Sequence, residues 1–95
     1  MIPVGAFDPS AEFSFYPGDL TVSAGTVVTW TNQDTVVHSA TSGTSDGSVG
    51  QPDGFFDSGL VDPGGTFEFT FTEPGTYAYF CTPHPWMQGT ITVTG

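Results

Sequence analysis

Apolar and polar residues alternate along several short runs of this chain, and each run is followed by a turn. In the clearest run, residues 66–72, Phe67, Phe69 and Phe71 alternate with threonine and glutamate. Such alternation is typical of a strand with one buried face. Similar runs contain Phe13 and Phe15, Leu20 and Val22, Val28 and Trp30, Tyr77 and Tyr79, and Ile91 and Val93, with residues 36–41 as a shorter candidate. The pattern predicts an all-β fold, an antiparallel sandwich or barrel.

The turns between these runs are rich in glycine, proline, asparagine and aspartate, which favour tight reversals of the backbone. They include Pro17-Gly18, Ala24-Gly25, Asn32-Gln33-Asp34, Pro63-Gly64-Gly65 and Pro74-Gly75. Residues 42–54, from Ser42 to Gly54, carry glycine, serine and aspartate but no hydrophobic pattern. We predict a long surface loop there, either an idle insertion or a segment that covers and uncovers a site.

The length of 95 residues suits one domain, because two domains of under 50 residues each would bury little core. Cys81 is the only cysteine, so an internal disulfide is excluded. Small folds without disulfides often depend on a metal or on oligomerisation. We therefore predict a single domain over residues 1–95, with a metal as one possible source of added stability.

The charged residues are all acidic: ten Asp and Glu, with no Lys or Arg, give a formal net charge of −10. Nothing in such a chain can neutralise phosphates, which excludes binding to nucleic acid and to anionic lipid. No run of 18 apolar residues is present, so no transmembrane segment is predicted. The N-terminal residues also lack the basic and apolar regions of a signal peptide.

One short string carries the residues best suited to chemistry. Cys81, His84 and Met87 lie within seven residues, between two predicted strands, and Pro83 and Pro85 stiffen the connection. His38, the only other histidine, lies on a candidate strand far upstream. Taken singly, a cysteine, a histidine or a methionine is usually core or surface. Together they form the inventory of a two-His, one-Cys site with a weak axial thioether, which is the ligand set of electron-transfer copper.

Other uses of the same residues fit less well. Structural zinc prefers four Cys or His ligands, and the chain has three. A nucleophilic Cys/His pair needs an oriented third group and a cleft that a 95-residue sandwich would hardly provide. Paired carboxylates of the kind that hydrolases use are not evident, because the acids are scattered over turns.

Three motifs resemble those of the cupredoxins, in particular the plastocyanin and amicyanin branch of small blue copper proteins. They are Asn32-x-Asp34-x3-His38, Gly75-Thr76-Tyr77-x-Tyr79-Phe80-Cys81, and Cys81-Thr82-Pro83-His84-Pro85-Trp86-Met87. The two residues between His84 and Met87 are most similar to the amicyanin loop. The resemblance implies a Greek-key β-sandwich of about eight strands that binds one copper ion near one end. It also implies the metal ligands His38, Cys81 and His84, with Met87 axial.

The resemblance implies further features around the metal. Pro83 has no N–H to donate to the Cys81 sulfur, so the backbone N–H of Ser39 is the expected donor. The edge of His84 is the expected port for electrons, with Pro83, Pro85 and Trp86 as a candidate apolar patch around it. Two departures stand out: Ser39 replaces a frequent asparagine and is expected to tie the ligand segments less firmly, and Phe80 replaces the surface tyrosine used for docking in plant plastocyanins.

The predicted function is one-electron transfer between larger redox partner proteins by a monomer. The acidic surface favours partners with basic docking faces, and it would also keep the protein dispersed at high salt. Two alternatives stay open: a copper-dependent oxidoreductase acting on a small molecule such as nitric oxide, and a non-redox copper carrier. From the resemblance we expect an extracytoplasmic location, in the periplasm or on the outer face of the membrane, with the leader absent from this sequence.

Overall fold

The computed structural model describes residues 1–8, 14–16 and 18–95, and that part of the chain contains strands and no α-helix. The strands are β1 (Asp19–Ser23), β2 (Thr26–Thr31), β3 (Thr41–Ser45), β4 (Gly50–Asp57), β5 (Thr66–Phe71), β6 (Gly75–Phe80) and β7 (Gln88–Thr94). The all-β prediction is confirmed, although the described residues form seven strands where about eight were expected. The described residues include no helix that is long and apolar enough to cross a membrane.

The strands form two sheets. One sheet has five strands in the order β1-β7-β6-β3-β4, in which β1 and β7 run parallel and every other pair is antiparallel. The other sheet is the antiparallel pair β2-β5. Because β6 and β7 are neighbours, the loop that connects them lies at one end of the five-stranded sheet. This loop contains Cys81, His84 and Met87.

Aromatic side chains fill the space between the two sheets. The ring of Trp30, on β2, lies 5.4 Å from the rings of both Phe56, on β4, and Tyr79, on β6. Along β5 the exposed positions alternate with the phenylalanines, which lie toward the core as predicted, and Phe71 is fully buried. Phe15 is also buried and packs edge-on against Tyr79. Phe13 and Pro17, both part of the sequence predictions, lie outside the described residues.

The predicted loop at residues 42–54 is wrong, because most of this segment belongs to the antiparallel β3-β4 hairpin. Hydrophobic alternation is missing because the hairpin buries small polar groups instead. The buried hydroxyl of Ser42 accepts the N–H of Phe56 at 2.8 Å and contacts the carboxylate of Asp53. At Gly43 a Cβ would lie 2.1 Å from the carbonyl oxygen of Gln51, so the close approach of the two strands requires glycine.

The short candidate strand at residues 36–41 forms only in part. Strand β3 begins at Thr41, and before it His38 makes an isolated antiparallel bridge with Val61. The backbone of His38 is therefore held by two hydrogen bonds, its N–H to the Val61 carbonyl at 3.2 Å and its carbonyl to the Val61 N–H at 2.7 Å. This bridge fixes the first candidate ligand without a continuous strand.

Candidate metal centre

Three of the four predicted ligands converge at the end of the sandwich. The Cys81 sulfur lies 3.6 Å from Nδ1 of His38 and 3.4 Å from Nδ1 of His84. The donor atoms of the three residues all lie within 4.8 Å of one another. His38 and Cys81 are fully buried, whereas His84 is partly exposed. Residues that are 43 positions apart in the sequence therefore present a soft sulfur and two imidazole nitrogens to one point.

The connection between β6 and β7 is folded tightly by its own backbone. The N–H of His84 donates to the Cys81 carbonyl at 3.2 Å, and the N–H of Met87 donates to the His84 carbonyl at 2.9 Å. The N–H of Cys81 in turn donates to the Met87 carbonyl at 3.1 Å, which closes the loop. Met87 is fully buried, one residue before β7. This loop, residues 81–87, is referred to below as the ligand loop.

A buried carboxylate contacts the imidazole of His38. Oδ2 of Asp34 lies 2.7 Å from Nε2 of His38, and both side chains are fully buried. An ionised carboxylate can only accept, so Nε2 carries the proton and Nδ1 keeps its lone pair toward Cys81. The sequence interpretation quoted Asp34 within a motif but gave it no role. An acid four residues before a candidate ligand histidine is the signal that would have found it.

Burial shifts the pKa of two groups in the candidate centre, Cys81 and His84. Burial raises the pKa of the Cys81 thiol, although the N–H of Ser39, 3.4 Å from the sulfur, acts in the opposite direction. The predicted Ser39 hydrogen bond to sulfur is thereby confirmed. Burial, together with the nearby His38, lowers the pKa of His84. Both shifts favour the neutral forms of Cys81 and His84, so a metal ion would have to displace the thiol proton.

Ser39, which was expected to tie the two ligand segments less firmly than asparagine, is hydrogen-bonded to both of them. Its hydroxyl oxygen accepts the N–H of Thr82 at 2.8 Å and lies 3.1 Å from the Thr82 hydroxyl. It also lies 3.0 Å from the hydroxyl of Thr41, which donates to the carboxylate of Asp57 at 3.1 Å. The Thr41 hydroxyl donates its proton to the Asp57 carboxylate. The Ser39 hydroxyl must therefore donate to the Thr41 oxygen and accept from the Thr82 hydroxyl. The short side chain of Ser39 is sufficient because the hydroxyl groups of Thr41 and Thr82 extend the hydrogen-bond network.

The β3-β4 hairpin braces the ligand loop from outside. The hydroxyl of Ser45, at the end of β3, donates to the carbonyl of Pro85 at 2.6 Å. At the start of β4, Gly50 lies directly against the ring of Phe80, which is 2% exposed. The residue before the cysteine is therefore covered by the hairpin rather than displayed at the surface.

Trp86 lies beside His84, the candidate ligand that is partly exposed. Its ring meets that of His84 edge to face, with centroids 5.5 Å apart. Its indole N–H donates to the carbonyl of Phe7 at 3.0 Å. Pro83 is exposed, and Pro85 and Trp86 are partly exposed. The apolar residues expected around His84 are thus present at the surface.

The donor set fits copper better than other metals. Imidazole suits both copper oxidation states, and thiolate and thioether are soft ligands that select copper over magnesium, calcium or manganese. Structural zinc sites have four Cys or His ligands, whereas this centre brings together three. The burial of the Cys81 sulfur suits a single metal–thiolate bond that is shielded from water.

Comparison with known proteins agrees with this geometry. Residues 5–94 match the family described as copper binding proteins, plastocyanin/azurin family. Amicyanin-alpha of Methylorubrum extorquens is 32% identical over 83 residues, which cover 87% of this chain and 66% of the relative. The plastocyanin of Scenedesmus fuscus is 34% identical over 93 residues, covering 88% of this chain and 90% of the relative.

A solved structure is similar over nearly the whole chain. It is described as a novel purple cupredoxin from Nitrosopumilus maritimus, with a TM-score of 0.86 and 38% identity, and the match covers 98% of this chain and 95% of that one. The chain spans about two thirds of the length of the amicyanin relative above. The family match covers nearly the whole chain, and the chain belongs to the plastocyanin/azurin family of copper binding proteins.

Proposed function

We propose that this chain is a small blue copper protein that carries single electrons between larger redox partners. In this proposal His38, Cys81 and His84 are the strong copper ligands and Met87 is a weak axial ligand. The observation that carries it is the convergence of two imidazole nitrogens and the only cysteine sulfur within 4.8 Å. Bound copper would supply the redox chemistry by cycling between Cu(II) and Cu(I).

The surrounding residues hold the donor atoms at nearly fixed positions. The ligand loop is anchored on separate sides by Ser39, by Ser45 and by the carbonyl of Phe7. A loop held in this way has little freedom to rearrange when the charge of the site changes. Since a small rearrangement keeps the barrier to electron exchange low, the anchoring supports a carrier rather than an enzyme.

His84 is the proposed exit for the electron. His38, Cys81 and Met87 are fully buried, so His84 is the only proposed ligand that reaches the surface. Pro83, Pro85 and Trp86 give its surroundings an apolar surface, of the kind that marks partner sites. The second docking point of plant plastocyanins is not proposed for this chain, because the corresponding Phe80 is buried.

The acidic surface supports partners with basic docking faces. With a net charge of −10, long-range attraction would speed encounter with such a partner and weaken as salt is added. We expect the association rate to fall between about 0.01 and 0.3 M salt, measured by stopped flow with a basic redox protein. A rate that is flat over this range would remove the steering proposal.

We also propose a monomer, one copper domain over residues 1–95 and an extracytoplasmic location, which the family resemblance supports.

The two alternative functions have weaker support. The oxidoreductase acting on a small molecule such as nitric oxide depended on a movable loop after His38. That segment is the β3-β4 hairpin, and it is bonded to the ligand loop through Ser45. The non-redox carrier should release copper easily, whereas the anchored loop favours retention.

The direct test is to titrate the metal-free protein with Cu(II) and record its optical and spin-resonance spectra. We expect one equivalent to give the intense visible absorption of a Cu–thiolate bond. Cys81→Ser should bind without this band, while Ser23→Ala, a change at an exposed β1 position, should keep it. Intense colour in Cys81→Ser would contradict the ligand assignment. A reversible one-electron potential in the wild type would then support the carrier role, and irreversible loss of copper on reduction would oppose it.

A further inference from the structure

The N-terminal segment, residues 1–8, packs along the end of the sandwich that holds the candidate metal centre. Ile2 donates its N–H to the Thr31 carbonyl at 2.8 Å and accepts the N–H of Gln33 at 2.8 Å. The side chains of Ile2 and Ala6 are both buried. This short stretch is thereby fixed to the end of β2, directly before the turn that carries Asp34.

From this position the segment completes the surroundings of the Asp34 carboxylate. The N–H of Gly5 donates to Oδ1 at 2.9 Å, and the N–H of Phe7 donates to Oδ2 at 3.3 Å. Thr35 adds its own N–H at 2.8 Å, and His38 donates from Nε2 at 2.7 Å. The chain has no Lys or Arg to pair with this buried charge, so amide groups and one imidazole replace the missing cation.

The same segment also reaches the ligand loop. The carbonyl of Phe7 accepts the indole N–H of Trp86 at 3.0 Å, and Trp86 packs against His84. The N–H of Phe7 therefore contacts Asp34 on one side of the centre, and its carbonyl contacts Trp86 beside His84 on the other side. One residue connects the two parts of the chain that contribute the donor atoms.

We propose that Asp34 is a positioning residue for His38, and that residues 5–7 form an N-terminal clip that joins Asp34 to the ligand loop. The clip holds Asp34 in place, Asp34 fixes the tautomer and direction of His38, and Trp86 ties the same segment to His84. The importance of this arrangement for copper rests on the proposed function, but the geometry itself can be tested without metal.

The first test uses the metal-free protein. Nitrogen NMR of the two histidines should show His38 as a single tautomer protonated at Nε2, with a slowly exchanging proton. Asp34→Asn, which keeps an acceptor oxygen but removes the charge, should speed exchange of that proton and weaken protection of the Gly5 and Phe7 amides. Asp62→Asn makes the same change of net charge at an exposed position and should leave all three signals unchanged. A mixed His38 tautomer in the wild type would overturn the proposal.

A second variant tests the clip separately. Trp86→Phe keeps an aromatic ring next to His84 but removes the indole donor to Phe7. We expect faster hydrogen exchange at the Phe7 amide and a smaller increase at the Nε2 proton of His38. Unchanged exchange at both positions would show that the clip does not couple the two sides.

Copper binding then measures the consequence for the site. Loss of an outer partner of a ligand histidine typically weakens metal affinity by about 10- to 100-fold, and we expect Asp34→Asn to fall in this range. The reduction potential of Asp34→Asn should rise, because the carboxylate makes the His38 imidazole a stronger donor to Cu(II) and the variant lacks it. Affinity and potential equal to those of Asp62→Asn would overturn the positioning role. If the wild type shows the Nε2 tautomer but forms no blue site, the proposed function fails while the inference about Asp34 stands.

Discussion

The side-chain oxygen of Ser39 accepts the backbone N–H of Thr82 at 2.8 Å, across 43 positions of sequence. This single atom connects the residue after His38 to the residue after Cys81. Because the backbone N–H of Ser39 also donates to the Cys81 sulfur, the same residue contacts the centre twice by independent groups. The two contacts can therefore be separated by mutation.

Ser39→Ala removes the hydroxyl and keeps the backbone donor to sulfur. The N–H of Thr82 loses its acceptor, and such a loss costs about 1 to 3 kcal/mol of the free energy of unfolding. Chemical denaturation of the metal-free protein measures the change. Ser23→Ala, at an exposed position, should stay within about 0.5 kcal/mol of the wild type. The copper form of Ser39→Ala should remain intensely coloured, and a change equal to that of Ser23→Ala would contradict the bridging role.

Met87→Leu and Met87→Gln test the proposed weak axial ligand. Both variants should retain copper and the intense visible band, because the three stronger donors are unchanged. Their potentials should differ from the wild type and from each other, since the axial ligand tunes the potential. Voltammetry of the copper forms measures this. Complete loss of copper binding in both variants would show that Met87 is not a weak ligand.

Gly50→Ala tests the contact between the β3-β4 hairpin and the end of β6, next to the ligand loop. A Cβ at residue 50 would lie 2.1 Å from the ring of Phe80, which is 2% exposed. Overpacking of this kind costs about 1 to 3 kcal/mol. In Gly18→Ala, the matched control, the nearest atom to the new Cβ is the Phe15 carbonyl oxygen at 3.8 Å, so little change is expected. Equal thermal stability of the two variants would argue against close packing at Gly50.

Tyr79 makes the fold sensitive to alkali. Burial raises the pKa of Tyr79 to about 12 from an ordinary value of 10.0. An unfolded chain ionises this phenol first, so the contribution is fully present below pH 10 and is lost as the pH rises through 12. The loss reaches about 2 to 3 kcal/mol near pH 12. Tyr79→Phe should show a smaller decline in the free energy of unfolding between pH 9 and 12, measured on the metal-free protein. An identical decline would assign the effect to other groups.

The sequence predicted those parts of the fold in which hydrophobic side chains alternate. Strand β5 is the best example, since Phe67, Phe69 and Phe71 all lie toward the core. The β3-β4 hairpin was missed because its stability comes from the hydroxyl of Ser42, the close approach at Gly43 and backbone pairing. A pattern of apolar residues cannot reveal such an element.

The candidate ligands were predictable because their chemistry is unusual in so small a chain. One cysteine, two histidines and a nearby methionine leave few other combinations. The residues that position them were harder to predict, since their partners are distant in the sequence. Asp34 acts on His38 with the help of amides from residues 5 and 7, and only the folded backbone brings those groups together. Ser39 was judged by the length of its side chain, whereas its partners Thr41 and Thr82 determine what it can hold.

The register of β6 and β7 has one more consequence. The last pair of their ladder is Phe80 with Gln88, so Cys81, His84 and Met87 all lie within the tip of a single hairpin. A change in the number of residues at this tip would alter the spacing of the three proposed donors and leave every strand pairing intact. Coordination chemistry can therefore diversify here by insertion or deletion at one place, independently of the scaffold that supports it.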